Sequence, residues 1–304
     1  MKIAFFGAEG KAGSAVVARL QAAGHEVRGI ELGDEPDVAG CDAAVDFTSP
    51  EAAPGNVVVA AAGNLEHDRL VALLQRSERR AGAPARAGTR VRRPLAQLPG
   101  PGLRFQRKET EQYHLCLGAI GISRSDRRRF AASLLDSILG GSASSRLFQE
   151  IREKRGMAYS VYSFASQYSD TGLIGVYVGT REENLATCVE ICVEQIGEIA
   201  AGRLRKGELE RAKENLKGRI VLSLESTSNR MSRLGKSLVT DTELLTLERV
   251  IAEIDAVEAD ELAELAAALL PSERLAAAGV GPDEARFRSA VGLASATLLE
   301  QAAA

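Results

Sequence analysis

Between Arg76 and Lys108 the chain carries ten basic side chains against one acid, with prolines at 84, 94, 99 and 101. Each proline fixes φ and removes a backbone donor, so no single helix or strand runs through this stretch. The core of it, residues 79–104, reads as a linker, and the chain must fold as pieces on either side. Its charge would suit a polyanion, but Phe105 is its one aromatic, and a solvated linker is the better reading. The whole chain has a formal charge of −3, which gives no drive towards nucleic acid or an anionic membrane. With 304 residues, 45% of them hydrophobic, there is material for two cores. The absence of Trp and 4% aromatics argue against a stacking platform. No apolar run approaches the length of a membrane span. The start, MKIAFFGAEGKAG, breaks into glycines and does not read as a secretion signal. Four cysteines without a C-x-x-C pair read as reduced thiols. These features together predict a soluble, cytoplasmic protein of mixed α/β class.

Lys2–Phe6, His25–Glu31 and Ala43–Phe47 read as strands, with a helix over Ser14–Ala23. Gly7, Gly10 and Gly13 follow the first strand, where a dinucleotide fold needs a tight turn and close approach to phosphate. Glu31 ends the second strand, where an acid can hold a ribose hydroxyl. A glycine turn that merely packs strand on helix explains the same residues. MKIAFFGAEGKAG, GHEVRGIEL and Val45–Glu51 resemble the N-terminus of dihydrodipicolinate reductase, which implies a nicotinamide cofactor. Two features depart from that family: Lys11-Ala12 stands for its usual Arg-Met, and no His-His pair follows, the histidines being His25, His67 and His114. Nine residues, Thr48–Asn56, separate Phe47 from the next apolar run, Val57–Ala62. A parallel crossover needs about a dozen. Residues 1–54 therefore read as half of a Rossmann-like unit. Gly7, Gly10, Gly13 and Glu31 would be vestigial, NAD(P) binding weak at best, and reductase turnover absent.

Residues 55–78 read as a strand and helix, and 105–288 as a continuous domain. Strands are expected at Tyr113–Ile122, Ala158–Gln167, Leu173–Gly179 and Arg274–Val280, the middle two joined by a hairpin turn at Ser169–Gly172. Helices are expected at Arg127–Leu139, Leu147–Lys154, Arg181–Ala201, Lys206 to about Thr240, and Ala256–Leu269. Residues 289–304 form an alanine-rich tail.

From Asn56 onward the chain resembles the insulinase and mitochondrial-processing-peptidase family of zinc metallopeptidases. LGGSASSRLFQEIREKRGMAYSVYS (Leu139–Ser163) and LESTSNRMSRLG (Leu224–Gly235) carry the resemblance, with support from Val57–Leu74. It implies paired α/β domains, here the second, non-zinc one, with a mainly antiparallel sheet covered by helices. The family's zinc site is an H-x-x-E-H helix in its first domain, with a more distant Glu. This chain has neither that motif nor H-E-x-x-H. Three scattered histidines do not make a three-ligand site, so no zinc is expected except through a partner subunit.

The resemblance assigns a peptide-binding and oxyanion-stabilising role to an Arg and a Tyr seven residues on, matched here by Arg152 and Tyr159. A guanidinium fork and a phenol donor suit developing carbonyl charge. Without the resemblance, Arg152 is one charge in the run Glu150–Arg155 and Tyr159 a strand residue. In the role the resemblance implies, Arg152 stands exposed and its loss would cost within about ±0.5 kcal/mol of stability, as at an ordinary surface site, whereas a structural role would cost several. Cys188 and Cys192, four apart on a helix, lie among apolar neighbours and read as buried thiols rather than ligands. The readings that stay open are a non-catalytic peptide-binding domain, one that docks to a zinc-bearing subunit or a second copy, and a chimera of two genes without an evolved function.

Overall fold

The structure, a computed structural model, describes residues 2–6, 21–22, 26–30, 43–46, 59–81, 100–295 and 298. Gly7, Gly10, Gly13 and Glu31 lie outside the described residues, as do most of the Ser14–Ala23 helix and of the linker. The chain divides into two compact units: residues 1–94 with 220–244, and residues 95–219 with 245–304.

In the first unit, β1 (Lys2–Phe6), β2 (Glu26–Ile30), β3 (Ala43–Asp46) and β4 (Ala61–Gly63) form a sheet in the order β2-β1-β3-β4. β1 runs parallel to β2 and β3, while β4 runs antiparallel to β3, with Ala44 opposite Ala62. The strand expected at Val57–Ala62 is described only as β4, Ala61–Gly63, and because it runs antiparallel to β3 no parallel crossover is required. Helix α1 (His67–Ala81) follows β4 and passes the expected boundary at residue 78.

The second unit holds a five-stranded sheet of β5 (Leu103–Arg107), β6 (Tyr113–Gly121), β7 (Ala158–Gln167), β8 (Gly172–Thr180) and β9 (Ala276–Gly281). The order is β5-β9-β6-β8-β7; β5 pairs parallel with β9 and all other pairs are antiparallel. Strict alternation along β6 buries Tyr113, Leu115, Leu117 and Ala119 and leaves His114, Cys116 and Gly118 on the opposite face. The buried face is covered by α2 (Arg129–Leu139) and α3 (Leu185–Ala200). With them pack two later helices that the chain reaches after α4 (Glu208–Ser223), α5 (Thr227–Val239) and α6 (Leu247–Asp255). These are α7 (Ala259–Leu269) and α8 (Glu284–Gly292). Leu134, Leu135 and Ile138 of α2, Val189 and Cys192 of α3, and Leu262 and Leu265 of α7 complete this core. On the open face Gly118 lies opposite Gly175. A Cβ on Gly175 would stand 2.6 Å from the Leu117 carbonyl oxygen and 2.9 Å from the Phe164 ring, so only glycine lets that ring lie over the strands.

The mixed α/β class and the mainly antiparallel, helix-covered sheet agree with the sequence reading. Several boundaries do not. The helix expected from Lys206 to about Thr240 is two, α4 and α5, because Ser226 caps α5 by accepting a hydrogen bond from the Asn229 amide. Ser, Thr and Asn here compete for backbone donors instead of extending the helix. Thr246 and Asp283 likewise cap α6 and α8, two helices absent from the sequence reading. β5 begins at Leu103, inside the span assigned to the linker. The tail is not separate from the core, since Ala290, Val291, Ala294 and Leu298 are buried.

Candidate functional site

α2 ends at Gly140, whose backbone lies so near Ser163 of β7 that a Cβ there would meet the Ser163 nitrogen at 2.2 Å. The chain then turns into Arg146, which is completely buried. Its Nε and Nη2 donate to the Glu208 carboxylate at 2.9 and 2.6 Å, and Nη2 also reaches the Arg203 carbonyl at 2.8 Å. Burial works to raise the Glu208 carboxyl, but the bond from Arg146 and the Arg205 amide outweigh it and hold it low.

From this anchor the backbone enters a wider, π-helical turn over Phe148–Glu153. π turns are rare and concentrate at functional sites. Gly156, at φ +61°, reverses the chain into β7, and Met157 donates its amide back to the Ile151 carbonyl at 2.9 Å. At the start of β7 the pairing with β8 slips by one residue. Ala158 faces Thr180 and Ser160 faces Gly179, which leaves Tyr159 as the extra residue of a bulge.

These irregularities bring Arg152 and Tyr159 together. The Arg152 guanidinium lies 4.6 Å from the centre of the Tyr159 ring and 4.7 Å from that of Phe148, a sandwich between two rings. Its Nη1 donates to the Tyr159 carbonyl at 3.2 Å, while Glu153 stands 3.7 Å from its Nε. Tyr159 is 79% exposed. The polar heads therefore stand in solvent at the edge of the sheet, on a braced platform.

In the same π turn Glu150, with a side chain 10% exposed, accepts from three cations. Lys154 Nζ at 2.7 Å and Arg205 Nη2 at 2.9 Å share its Oε1, and Arg155 Nη1 reaches its Oε2 at 2.8 Å. Burial pushes this carboxyl up, but the three hydrogen bonds prevail and bring it down to about 2. Neither this hub nor Phe148 figured in the sequence reading. Glu150 and Lys154 stand four apart, a visible signal, whereas Arg205 comes from a distant loop.

On the open face of the sheet, His114 Nδ1 and the Tyr177 hydroxyl are 2.7 Å apart, and Tyr162 stacks on Tyr177 with ring centres 4.9 Å apart. His67 is exposed at the start of α1, and His25 lies outside the described residues. Among the described residues no three His, Cys, Asp or Glu side chains are grouped to hold a metal ion. His114 is tied to Tyr177 and the sequence has no H-x-x-E-H, so among the described residues no group fits a zinc centre. Cys188 and Cys192 are fully buried, and burial raises both thiols. No helix among the described residues is long and apolar enough to cross a membrane.

The family model described as the peptidase M16 inactive domain matches residues 52–216, more than half of the chain. The chain belongs to that family. The M16 match takes in the π turn, the Gly156 reversal, the bulge and the Glu150 hub. An uncharacterized zinc protease of Streptomyces coelicolor is 39% identical over 238 residues, 75% of this chain and 50% of that protein. One from Mycobacterium tuberculosis is 38% identical over 239 residues, 75% of this chain and 52% of the relative. This chain thus spans about half the length of the curated relatives it matches. A crystal structure of a peptidase M16 inactive domain from Pseudomonas fluorescens superposes with a TM-score of 0.65 at 26% identity, over 75% of this chain and 54% of that one. The M16 match begins at residue 52, beyond β1, β2 and β3, and none of these three relatives is a reductase.

Proposed function

We propose that this chain is a non-catalytic, substrate-side domain of a zinc peptidase, which holds an extended peptide at Arg152 and Tyr159. The observation that carries the reading is the Phe148–Arg152–Tyr159 sandwich at an exposed strand start. A guanidinium fixed between two rings has already lost its rotamer freedom, so it binds a peptide carbonyl at little further entropic cost. Nη2 of Arg152 keeps no acceptor among the described residues and is the donor available for that carbonyl. The Tyr159 hydroxyl supplies a second donor. Chemistry at the scissile bond would come from a zinc-bearing subunit docked to this chain, since the sequence has no H-x-x-E-H and no three metal donors are grouped among the described residues. A second copy of this chain is the other docking partner to consider, but it would bring no zinc ligands of its own. The names of the M16 relatives, zinc proteases of which the matched region makes up about half, support the reading.

The test is fluorescence anisotropy of labelled extended peptides against the full chain, with zinc measured in the same preparation. Wild type should bind peptide. Arg152→Ala and Tyr159→Ala should each weaken binding about tenfold or more, as when a charge-assisted hydrogen bond is lost. The preparation should hold well under one zinc per chain. Equal binding by wild type and both variants would refute the reading, as would stoichiometric zinc with chelator-sensitive proteolysis.

A further inference from the structure

The Glu150 hub gathers more positive charge than its carboxylate balances. Lys154, Arg155 and Arg205 converge on one acid, which leaves two cationic charges uncompensated within the cluster. The neighbouring acids are already engaged: Glu208 and Glu198 with Arg146, Glu198 also with Arg203 at 3.9 Å, and Glu153 with Arg152. Gln195 adds a neutral acceptor 3.1 Å from Arg205 Nη2. Three like charges held on two oxygens repel one another, and a second anion would relieve that repulsion.

The donors for such an anion are present. Nε and Nη2 of Arg155, Nε and Nη1 of Arg205 and the remaining Lys154 protons have no acceptor among the described residues. The three side chains are 57%, 41% and 41% exposed, whereas the carboxylate beneath them is 10% exposed. The arrangement is thus a buried anion under a solvent-facing layer of cations, fixed in place by that anion and by the Arg155 bond to the Glu150 carbonyl at 2.8 Å. Guanidinium forks match tetrahedral oxyanions, and a net charge of two favours a dianion over chloride or a single carboxylate. We propose that Lys154, Arg155 and Arg205 form a binding site for a phosphate-type dianion, distinct from the Arg152–Tyr159 pair and independent of the peptide-binding reading. The same chemistry is presented by free phosphate and by the phosphoryl group of a modified peptide.

The experiment is amide chemical-shift mapping of the full chain, titrated with inorganic phosphate at low ionic strength. Saturable shifts at Lys154, Arg155 and Arg205, with a midpoint in the millimolar range or below, are expected. Chloride at matched ionic strength should leave them unchanged, and added salt should weaken the effect. Lys154→Gln removes one exposed cation without touching the Arg–Glu150 pairs, and should raise the midpoint about fivefold. The wild-type map decides the question even if that variant misfolds. A phosphoserine peptide that saturates the same amides below the phosphate midpoint identifies a peptide-borne source, and one that does not identifies free phosphate. Shifts confined to other residues, equal shifts with chloride, or an unchanged midpoint in Lys154→Gln would overturn the site.

Discussion

Arg152→Ala tests whether the ring sandwich exists as more than proximity. The resemblance, which places Arg152 exposed in a groove, expects a stability cost within about ±0.5 kcal/mol. The geometry predicts more. Two cation–π contacts at a partly exposed site contribute about 0.5–1 kcal/mol each. The bond to the Tyr159 carbonyl adds about 1 kcal/mol. Screening at a side chain 36% exposed trims the total to about 1.5 kcal/mol. Because all five tyrosines (113, 159, 162, 168 and 177) lie in the second unit and the chain has no Trp, tyrosine emission in a urea titration reports that unit alone. The midpoint should fall with an unchanged slope, the signature of altered stability without altered exposure. Arg152→Met keeps the apolar stem against the rings and loses the charge, so it should recover roughly a third of the loss. A double-mutant cycle with Phe148→Leu should return a coupling of about 0.5 kcal/mol or more. A change in Arg152→Ala under about 0.5 kcal/mol, with no coupling to Phe148, would refute the sandwich.

Glu150 makes stability pH-dependent with a definite sign. Its carboxyl falls from 4.5 to about 2 on folding, so the contribution is complete above about pH 4.5 and disappears as pH falls towards 2. After discounting for screening it amounts to about 1–2 kcal/mol, read as a lower urea midpoint at pH 3 than at pH 6, and Glu150→Gln should flatten that difference. Arg146→Ala strands the Glu208 carboxylate and should cost about 3–5 kcal/mol in the same titration, whereas a cost under 1 kcal/mol would mean that Glu208 finds water or another cation. Nicotinamide dinucleotide titrated into the full chain should bind weakly by calorimetry, and a low-micromolar constant, near −8 kcal/mol, would contradict the half-unit reading of residues 1–54.

Much of the second unit was legible because its elements follow single periods. β6 alternates without a break from Tyr113 to Ala119, and Leu134, Leu135 and Ile138 repeat at helical spacing in α2. The split between α4 and α5 was written in the sequence as Ser226-Thr227-Ser228-Asn229, but a run of helix formers on both sides masked it. β5 was harder. Its pattern of half-buried and exposed residues follows from its place at the sheet edge beside β9, a partner more than 170 positions away. Edge strands carry a weak local signal because one face and one flank remain in solvent.

The site depends on features that no period encodes. Arg152 and Tyr159 are seven residues apart, and that spacing alone does not place them together. A regular helix through Phe148–Glu153 would rotate Arg152 relative to the buried Leu147 and Ile151, so the wider π turn sets its direction. Gly156 then reverses the chain at a positive φ that other side chains seldom adopt. In β7, Ala158 and Val161 are both buried although they stand three apart, which an unbroken strand would put on opposite faces. The bulge at Tyr159 absorbs the odd residue and lets both face inward. Deleting one residue between Arg152 and Val161 should therefore do more than shorten a turn. A deletion in the turn before Ala158 would pull Arg152 out of register with Tyr159, whereas deletion of Ser160 would remove the bulge and leave Ala158 and Val161 two apart on one face of an unbroken strand. The exposed aromatic–cation pair is thus the outward consequence of satisfying two inward apolar residues, and the core fixes the geometry that a peptide would meet.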